Sequence, residues 1–189
     1  MLALAMRYPL AFLLIFTCAA GGSKPVRYHF ELDEVLLAPT APAELAVKAR
    51  KVFAEAVAGR ADVVQTLENA PDPVKDPQAF RKYLDAQGIR AYALKIKIDP
   101  YERSFGPGKR GNVLTIRLGV SLVGAQLPGD ALALAGSGGS TVTAEVGPTL
   151  RPGEEEETMD DALKDALGHA LDDALAKLQA PPATHRKKK

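Results

Sequence analysis

Along residues 26–33, apolar Val26, Tyr28, Phe30 and Leu32 alternate with polar Arg27, His29, Glu31 and Asp33. A period of two places the apolar set on one side of an extended chain, which predicts a half-buried β-strand. Pro39 and Pro42 close it. The period then lengthens: Leu45, Ala49, Val52, Phe53 and Ala56 share one face of a helix, with Gly59 after its last turn. Residues 63–67 form a short, weaker strand candidate. A proline-rich stretch, 69–76, leads into a second helix. Asp76 can cap it and Pro77 suits its first position, because a carboxylate accepts the free backbone donors and proline has no N–H to lose there. Phe80 and Leu84 stack one turn apart, and Gly88 can end the helix in a left-handed conformation.

Two strong strands follow. Tyr92, Leu94, Ile96 and Ile98 face one way, with Lys95 and Lys97 opposite. After a turn-rich stretch at 106–112, Leu114, Ile116, Leu118, Val120 and Leu122 alternate with Thr115, Arg117, Gly119 and Ser121. This pattern predicts an antiparallel hairpin with one wet face. Residues 127–130 turn into a segment at 131–146, interrupted by "GSGGS" and so expected to be one bent strand or a further hairpin. The same stretch could be taken for a phosphate cradle. No lysine follows it, however, and Thr141-Val142-Thr143 resumes a strand pattern, so a bulge or turn is expected. The last element is a helix from about 155 to 178, with Leu163, Leu167, Leu171, Leu175 and Leu178 as its apolar stripe and Pro181-Pro182 as its stop.

The order β-α-β-α-β-β-β-α predicts an α+β fold: a mostly antiparallel sheet with helices packed on one face. Phe53, Leu84, Leu118 and Leu167 should then be buried, and Lys95 and Lys97 exposed.

The amino-terminal segment is of a different kind. Arg7 precedes an apolar run at 8–16, too short to cross a bilayer, and small residues follow from Cys18 to Gly22. This is the pattern of an export signal. Gly21-Gly22-Ser23-Lys24-Pro25 would break a buried helix at once. Two processing routes fit. Cleavage after Ala20 would leave no cysteine, since Cys18 is the only one in the chain. Alternatively, Ile15-Phe16-Thr17-Cys18 resembles a bacterial lipobox, from which Thr17 departs where a smaller residue is usual. Acylation would consume a thiol that otherwise stands unpaired in an oxidising compartment. The chain therefore divides into a signal peptide at 1–20 (or 1–17 if Cys18 becomes the first residue), a tether at 21–25, one domain at 26–180 and a disordered basic tail at 181–189. The expected location is periplasm-facing, membrane-anchored through Cys18, or else soluble in the periplasm.

Of the 189 residues, 47% are hydrophobic and 25% charged, enough for one buried core. The net charge of +1 hides an asymmetry. Setting aside Arg7, Arg186, Lys187, Lys188 and Lys189 leaves 19 of the 24 basic residues against 23 acidic ones, so the body carries about −4. An acidic body excludes the basic stripe that a nucleic-acid surface needs.

This order of elements behind an export signal resembles small periplasmic domains. Among them are the amino-terminal domain of the Tol-Pal propeller protein, the curli secretion lipoprotein and lipoprotein activators of peptidoglycan synthases. The resemblance is architectural and covers most of residues 26–178. The glycine those families often carry on entering the third strand is not visible in "AYALKIKID". The resemblance implies an outer-membrane or periplasmic binding module and, for a lipoprotein, a diacylglyceryl group on Cys18.

Chemistry-bearing patterns are sparse. Asp165, His169 and Asp173 are spaced four apart on the last helix and could hold a divalent cation, the basis for an alternative reading as a secreted metal-dependent hydrolase. Their face lies away from the leucine stripe and should be wet, so no metal site is expected. His29 falls on the wet face of the first strand, as a surface residue. No Gly-x-Ser-x-Gly elbow or catalytic cysteine is present, and neither a cofactor nor catalysis is expected. The expected function is non-catalytic binding of an envelope protein or a cell-wall component. The candidate surface is the wet face of the hairpin: Lys95, Lys97, Thr115, Arg117 and Ser121.

Overall fold

A computed structural model describes residues 25–180, apart from Arg110 and Asp130. The expected leader, its Cys18 and the basic tail lie outside the described residues. The chain runs β1 (Arg27–Leu37), α1 (Glu44–Ala58), α2 (Pro77–Gln87), β2 (Ile89–Pro107), β3 (Asn112–Leu127), β4 (Leu132–Val146) and α3 (Pro152–Gln179). The strands form one sheet in the order β1-β2-β3-β4. β2–β3 and β3–β4 are antiparallel, whereas β1 pairs with β2 in parallel. A parallel neighbour needs a crossover, and α1 with α2 supplies it.

The α+β order is the expected one, with its third element reduced to a single parallel bridge between Tyr28 and Val63. The Tyr28 N–H donates to Asp62 O at 2.9 Å and the Val64 N–H to Tyr28 O at 2.7 Å. Beyond that bridge Val64 and Leu67 pack towards α2, so the segment leaves the sheet instead of extending along it.

β1 is longer than its alternation suggested. Tyr28, Phe30 and Leu32 join the core, then a bulge between Leu32 and Glu34 shifts the phase so that Val35 and Leu37 continue the same face. One extra residue in a strand does this. β2 repeats the device: between Ile98 and Tyr101 the register shifts, and Tyr101 takes over the core face from Ile98.

α1 and α3 cover one face of the sheet. Phe53, Leu118 and Leu167 are 4%, 1% and 0% exposed. Fully burying a leucine or isoleucine contributes about 1.5–3 kcal/mol, and Leu94, Ile96, Ile98, Ile116, Leu122, Leu163 and Leu171 all sit in this one core. α2 is capped as expected: Asp76 accepts from the Ala79 N–H at 2.9 Å, and Gly88 closes the helix at φ +64°. Its placement departs from the expected one-sided packing. Leu84 is buried, but with Phe80, Ile89 and Ala91 in a second cluster. Ile89 and Ala91 alternate with the core-facing Tyr92 and Leu94, so α2 covers the opposite face where β1 and β2 begin. The reason is the short Gly88 connection, which delivers α2 directly onto the first residues of β2.

The glycine run lies inside one strand, the first of the two expected alternatives, with neither a hairpin nor a register shift: β4 passes through it unbroken. A Cβ on Gly136 would lie 2.2 Å from Ala170 O and 2.7 Å from Ala174 Cβ, and one on Gly138 would lie 2.1 Å from Ala166 O. The glycines let α3 lie directly on the strand, its stripe of Ala166, Ala170 and Ala174 meeting bare backbone. A glycine inside a strand marks such a close approach.

Candidate functional site

The five residues of the candidate face do share one side of the sheet. Lys97 pairs in register with Ser121, Glu102 with Arg117 and Ser104 with Thr115. They are strung along it, since Lys95 lies opposite Val123 and Thr115 is eight residues further up β3, roughly 26 Å at about 3.3 Å per residue. Each of the three candidate cations has a carboxylate partner. Lys95 meets Glu34 at 2.9 Å and Asp33 at 3.7 Å, Lys97 meets Asp99 at 2.9 Å, and Arg117 meets Glu102 at 3.7 Å. The hydrogen bond to Glu34, with the nearby charges, holds the Lys95 ammonium above its ordinary pKa. Thr115 and Thr143 share a hydroxyl contact at 3.2 Å. Ser121 is half-buried.

Near the middle of the face is a shallow depression of about 290 Å³, lined by Pro100, Arg117, Gly119, Gly139 and Thr141. Gly119 and Gly139 face each other across β3 and β4. A Cβ on Gly119 would lie 2.9 Å from Asp99 O, so the bulge in β2 requires glycine there and the dip results. Arg117 is the candidate residue that borders a concavity.

The acidic face of α3 has a structural task that its spacing did not reveal. The Asp173 carboxylate accepts the Ser137 N–H at 2.9 Å and the Lys177 ammonium at 2.7 Å. These hydrogen bonds, the lysine first, hold it below the usual carboxylate range. His169 Nδ1 lies 3.4 Å from Gly139 O. The face is wet as expected, with His169 exposed and Asp173 half-exposed, but both side chains also reach the outer edge of β4, whose free backbone groups would otherwise invite pairing with another strand. Asp165 is exposed. Among the described residues no group of three or more His, Cys, Asp or Glu side chains is placed to hold a metal ion. His29 is likewise not a free surface residue. Its ring donates from Nδ1 to Val64 O at 2.8 Å, fastening the 61–67 segment to β1.

A larger cleft, about 640 Å³, lies at the other end of the sheet and was not visible in the sequence. It opens where the 38–43 turn, the first turns of α1 and α3, and β2 beyond its bulge converge. Lys48 donates to Glu156 at 2.7 Å and to Asp160 at 2.8 Å, and these bonds, the one to Asp160 largest, raise its pKa. Arg103 holds Glu155 through two nitrogens, one at 2.9 Å, which keeps the Glu155 carboxyl below its ordinary pKa. Tyr101 lines the floor, and burial pushes its phenol up. Thr40 donates to Tyr101 O at 3.1 Å. Lys48, Tyr101 and Arg103 come from two elements that only the fold joins, so no spacing in the chain pointed to them. The arrangement can bind through hydrogen bonds and ion-pair exchange. Exposed pairs of this kind contribute about 0–1 kcal/mol each.

No protein-family model matches the chain, and no curated protein matches its sequence. Solved structures are similar to this chain at low identity. A protein of Caulobacter crescentus described as a lipoprotein is 16% identical, covers 80% of this chain and 93% of its own, and superposes with a TM-score of 0.46. A Helicobacter pylori protein described as a homolog of neuraminyllactose-binding hemagglutinin is 10% identical, with 84% of each chain covered and a TM-score of 0.42. A minor lipoprotein of Acinetobacter baumannii is 11% identical, covering 82% of this chain and 93% of its own, with a TM-score of 0.41. Function at such distances rests on this chain's own residues.

Proposed function

We propose that this protein is an exported, lipid-anchored envelope module that binds a partner without catalysing a reaction. The observation that carries the reading is the sole cysteine, Cys18, at the end of an apolar run and followed by Ala-Ala-Gly-Gly-Ser, with the first strand starting at Arg27. That spacing suits an acylated residue, a short tether and a folded domain. Among the described residues no helix is long and apolar enough to cross a membrane. The partner is an envelope protein or a cell-wall component, met on the open face around Lys95, Lys97, Thr115, Arg117 and Ser121. This role is in keeping with the architectural resemblance to periplasmic domains noted above.

Mass spectrometry of the mature amino terminus in the native host tests the anchor. The expected species begins at Cys18 and carries a diacylglyceryl group; a free terminus at Gly21 in the soluble fraction refutes it. Photocrosslinking in intact cells tests the face. Probes at Thr115 and Ser121 should give a discrete product, and an equal yield from a probe at Val47, 72% exposed on α1, would sink the assignment.

A further inference from the structure

Tyr101 carries a polar group that the fold leaves unused. The bulge in β2 turns this residue onto the core face, where it is 8% exposed at the floor of the cleft of about 640 Å³. Its carbonyl accepts the Thr40 hydroxyl at 3.1 Å. Its own hydroxyl bonds to none of the described residues, yet it is not sealed in protein, so it opens into the cleft. A phenol placed this deeply ordinarily has a hydrogen-bond partner. Burial first, then the nearby Glu155 and Glu44 charges, raise its pKa and keep it protonated.

The charges around the phenol do not balance. Glu44, Glu155 and Glu156 line the cleft against Lys48 and Arg103, and Asp160 shares Lys48 with Glu156. Both cations are therefore engaged by carboxylates. Glu44, in the first turn of α1, has no ion-pair partner among the described residues. An anionic ligand would meet an excess of negative charge and would have to displace a carboxylate from Lys48 or Arg103. A cation finds acceptors that are free. An ammonium has three donors and no acceptor, which suits a phenol oxygen beside an unpaired carboxylate.

We propose that this cleft binds a primary alkylammonium, the side chain of a lysine presented by a partner protein. The ammonium donates to the Tyr101 hydroxyl oxygen and the Glu44 carboxylate, and the four-carbon stem lies along Ala41, Pro42 and Met159. The cleft falls in the range of about 300–1,000 Å³ that takes a whole small ligand, so residues flanking the lysine fit as well. This site stands apart from the open face of Lys95 and Arg117. Arg117 pairs with Glu102, which alternates with the core-facing Tyr101 and so lies across the sheet. The inference does not depend on acylation of Cys18.

The test titrates the exported protein, purified from its native host, with the peptide acetyl-Ala-Lys-Ala-amide by calorimetry. Comparison peptides carry norleucine, which keeps the stem and drops the charge, or glutamate. The lysine peptide should bind at least about tenfold more tightly than the norleucine one, and the glutamate peptide should not bind. Tyr101→Phe and Glu44→Gln should each weaken the lysine peptide about tenfold or more, as expected for a lost hydrogen bond to a charged group. Tyr101→Phe removes a hydroxyl that bonds nothing described in the domain, so its melt should not fall, and the melt of Glu44→Gln checks that this variant keeps the fold. No binding of the lysine peptide, equal binding of the norleucine peptide, or unchanged binding by either folded variant overturns the proposal. Pentylamine bound as tightly as the lysine peptide overturns the assignment to a protein partner.

Discussion

Gly138→Ala adds one methyl group between β4 and α3, and the structure says where it would go. The new Cβ would stand 2.1 Å from Ala166 O, 2.6 Å from Ala170 N and 2.8 Å from His169 Cβ. Ordinary contact between carbons is about 3.5–4.0 Å. Two of these neighbours are helix backbone, which cannot swing aside as a flexible side chain does, so the helix must lift locally by more than an ångström. Overpacking a filled interface costs about 1–3 kcal/mol, and rigid neighbours on both sides place this change near 3 kcal/mol. For a domain of this size each kcal/mol lowers the melting temperature by about 2–4 °C, so thermal denaturation followed by circular dichroism should show a loss of roughly 6–12 °C. Gly139→Ala, one residue along, is the control. Its Cβ would meet nothing closer than Leu118 O at 3.8 Å, and its φ is not positive. It should stay within about 0.5 kcal/mol of the parent, or gain slightly from the stiffer unfolded chain. If both variants melt with the parent, or if Gly139→Ala loses as much as Gly138→Ala, the direct seating of α3 on the glycine backbone is wrong.

Three further outcomes follow from the same contacts. Leu118→Ala, in the centre of the core, should lower the unfolding free energy in urea by about 2–5 kcal/mol, whereas a loss below about 1 kcal/mol would mean the site collapses without a cavity. The Glu155 carboxyl, held down by Arg103, binds its proton less readily when folded than when unfolded. Its contribution is therefore present above the unfolded value near 4.3 and lost as pH falls through the lower folded value. Urea titrations of the parent and Glu155→Gln should differ at neutral pH and converge in acid; a gap that widens in acid would refute the pairing. Zinc, manganese or calcium should leave the melt unchanged, because Asp173 is already engaged by Ser137 and Lys177. A bound metal at a hundredfold excess over its dissociation constant would contribute about 2.7 kcal/mol, and a shift abolished by His169→Ala would reveal one.

The two periods of the sequence determined the elements and their buried sides. Alternation assigned Leu118 and Ile96 to the core and Lys97 to water, and a leucine every four residues drew α3, because side-chain direction repeats with backbone geometry whatever lies opposite. Asp76 and Gly88 were legible for the same reason: a cap and a left-handed turn are decided by neighbours in the chain. Pairing, phase and approach were not local. The bulges after Leu32 and Ile98 exist because β1 and β2 must keep one face on the core over their full length, and no residue type announces them. Ile89 and Ala91 looked like ordinary strand residues until Gly88 delivered α2 onto their side of the sheet. The run around Gly136 and Gly138 resembled a turn, since glycine weakens a strand taken alone. Only the alanine stripe of α3, about 30 residues away, makes glycine the residue that lets a helix backbone rest on a strand. The spacing of Asp165, His169 and Asp173 offered a ligand set that the leucine stripe opposite argued against, but the contact of Asp173 and His169 with the β4 edge was not legible, and Lys48 and Arg103 became neighbours of one cleft only when α1 and β2 were folded together. Local stereochemistry lies within a few residues of chain, whereas contacts between elements depend on residues that meet only after folding.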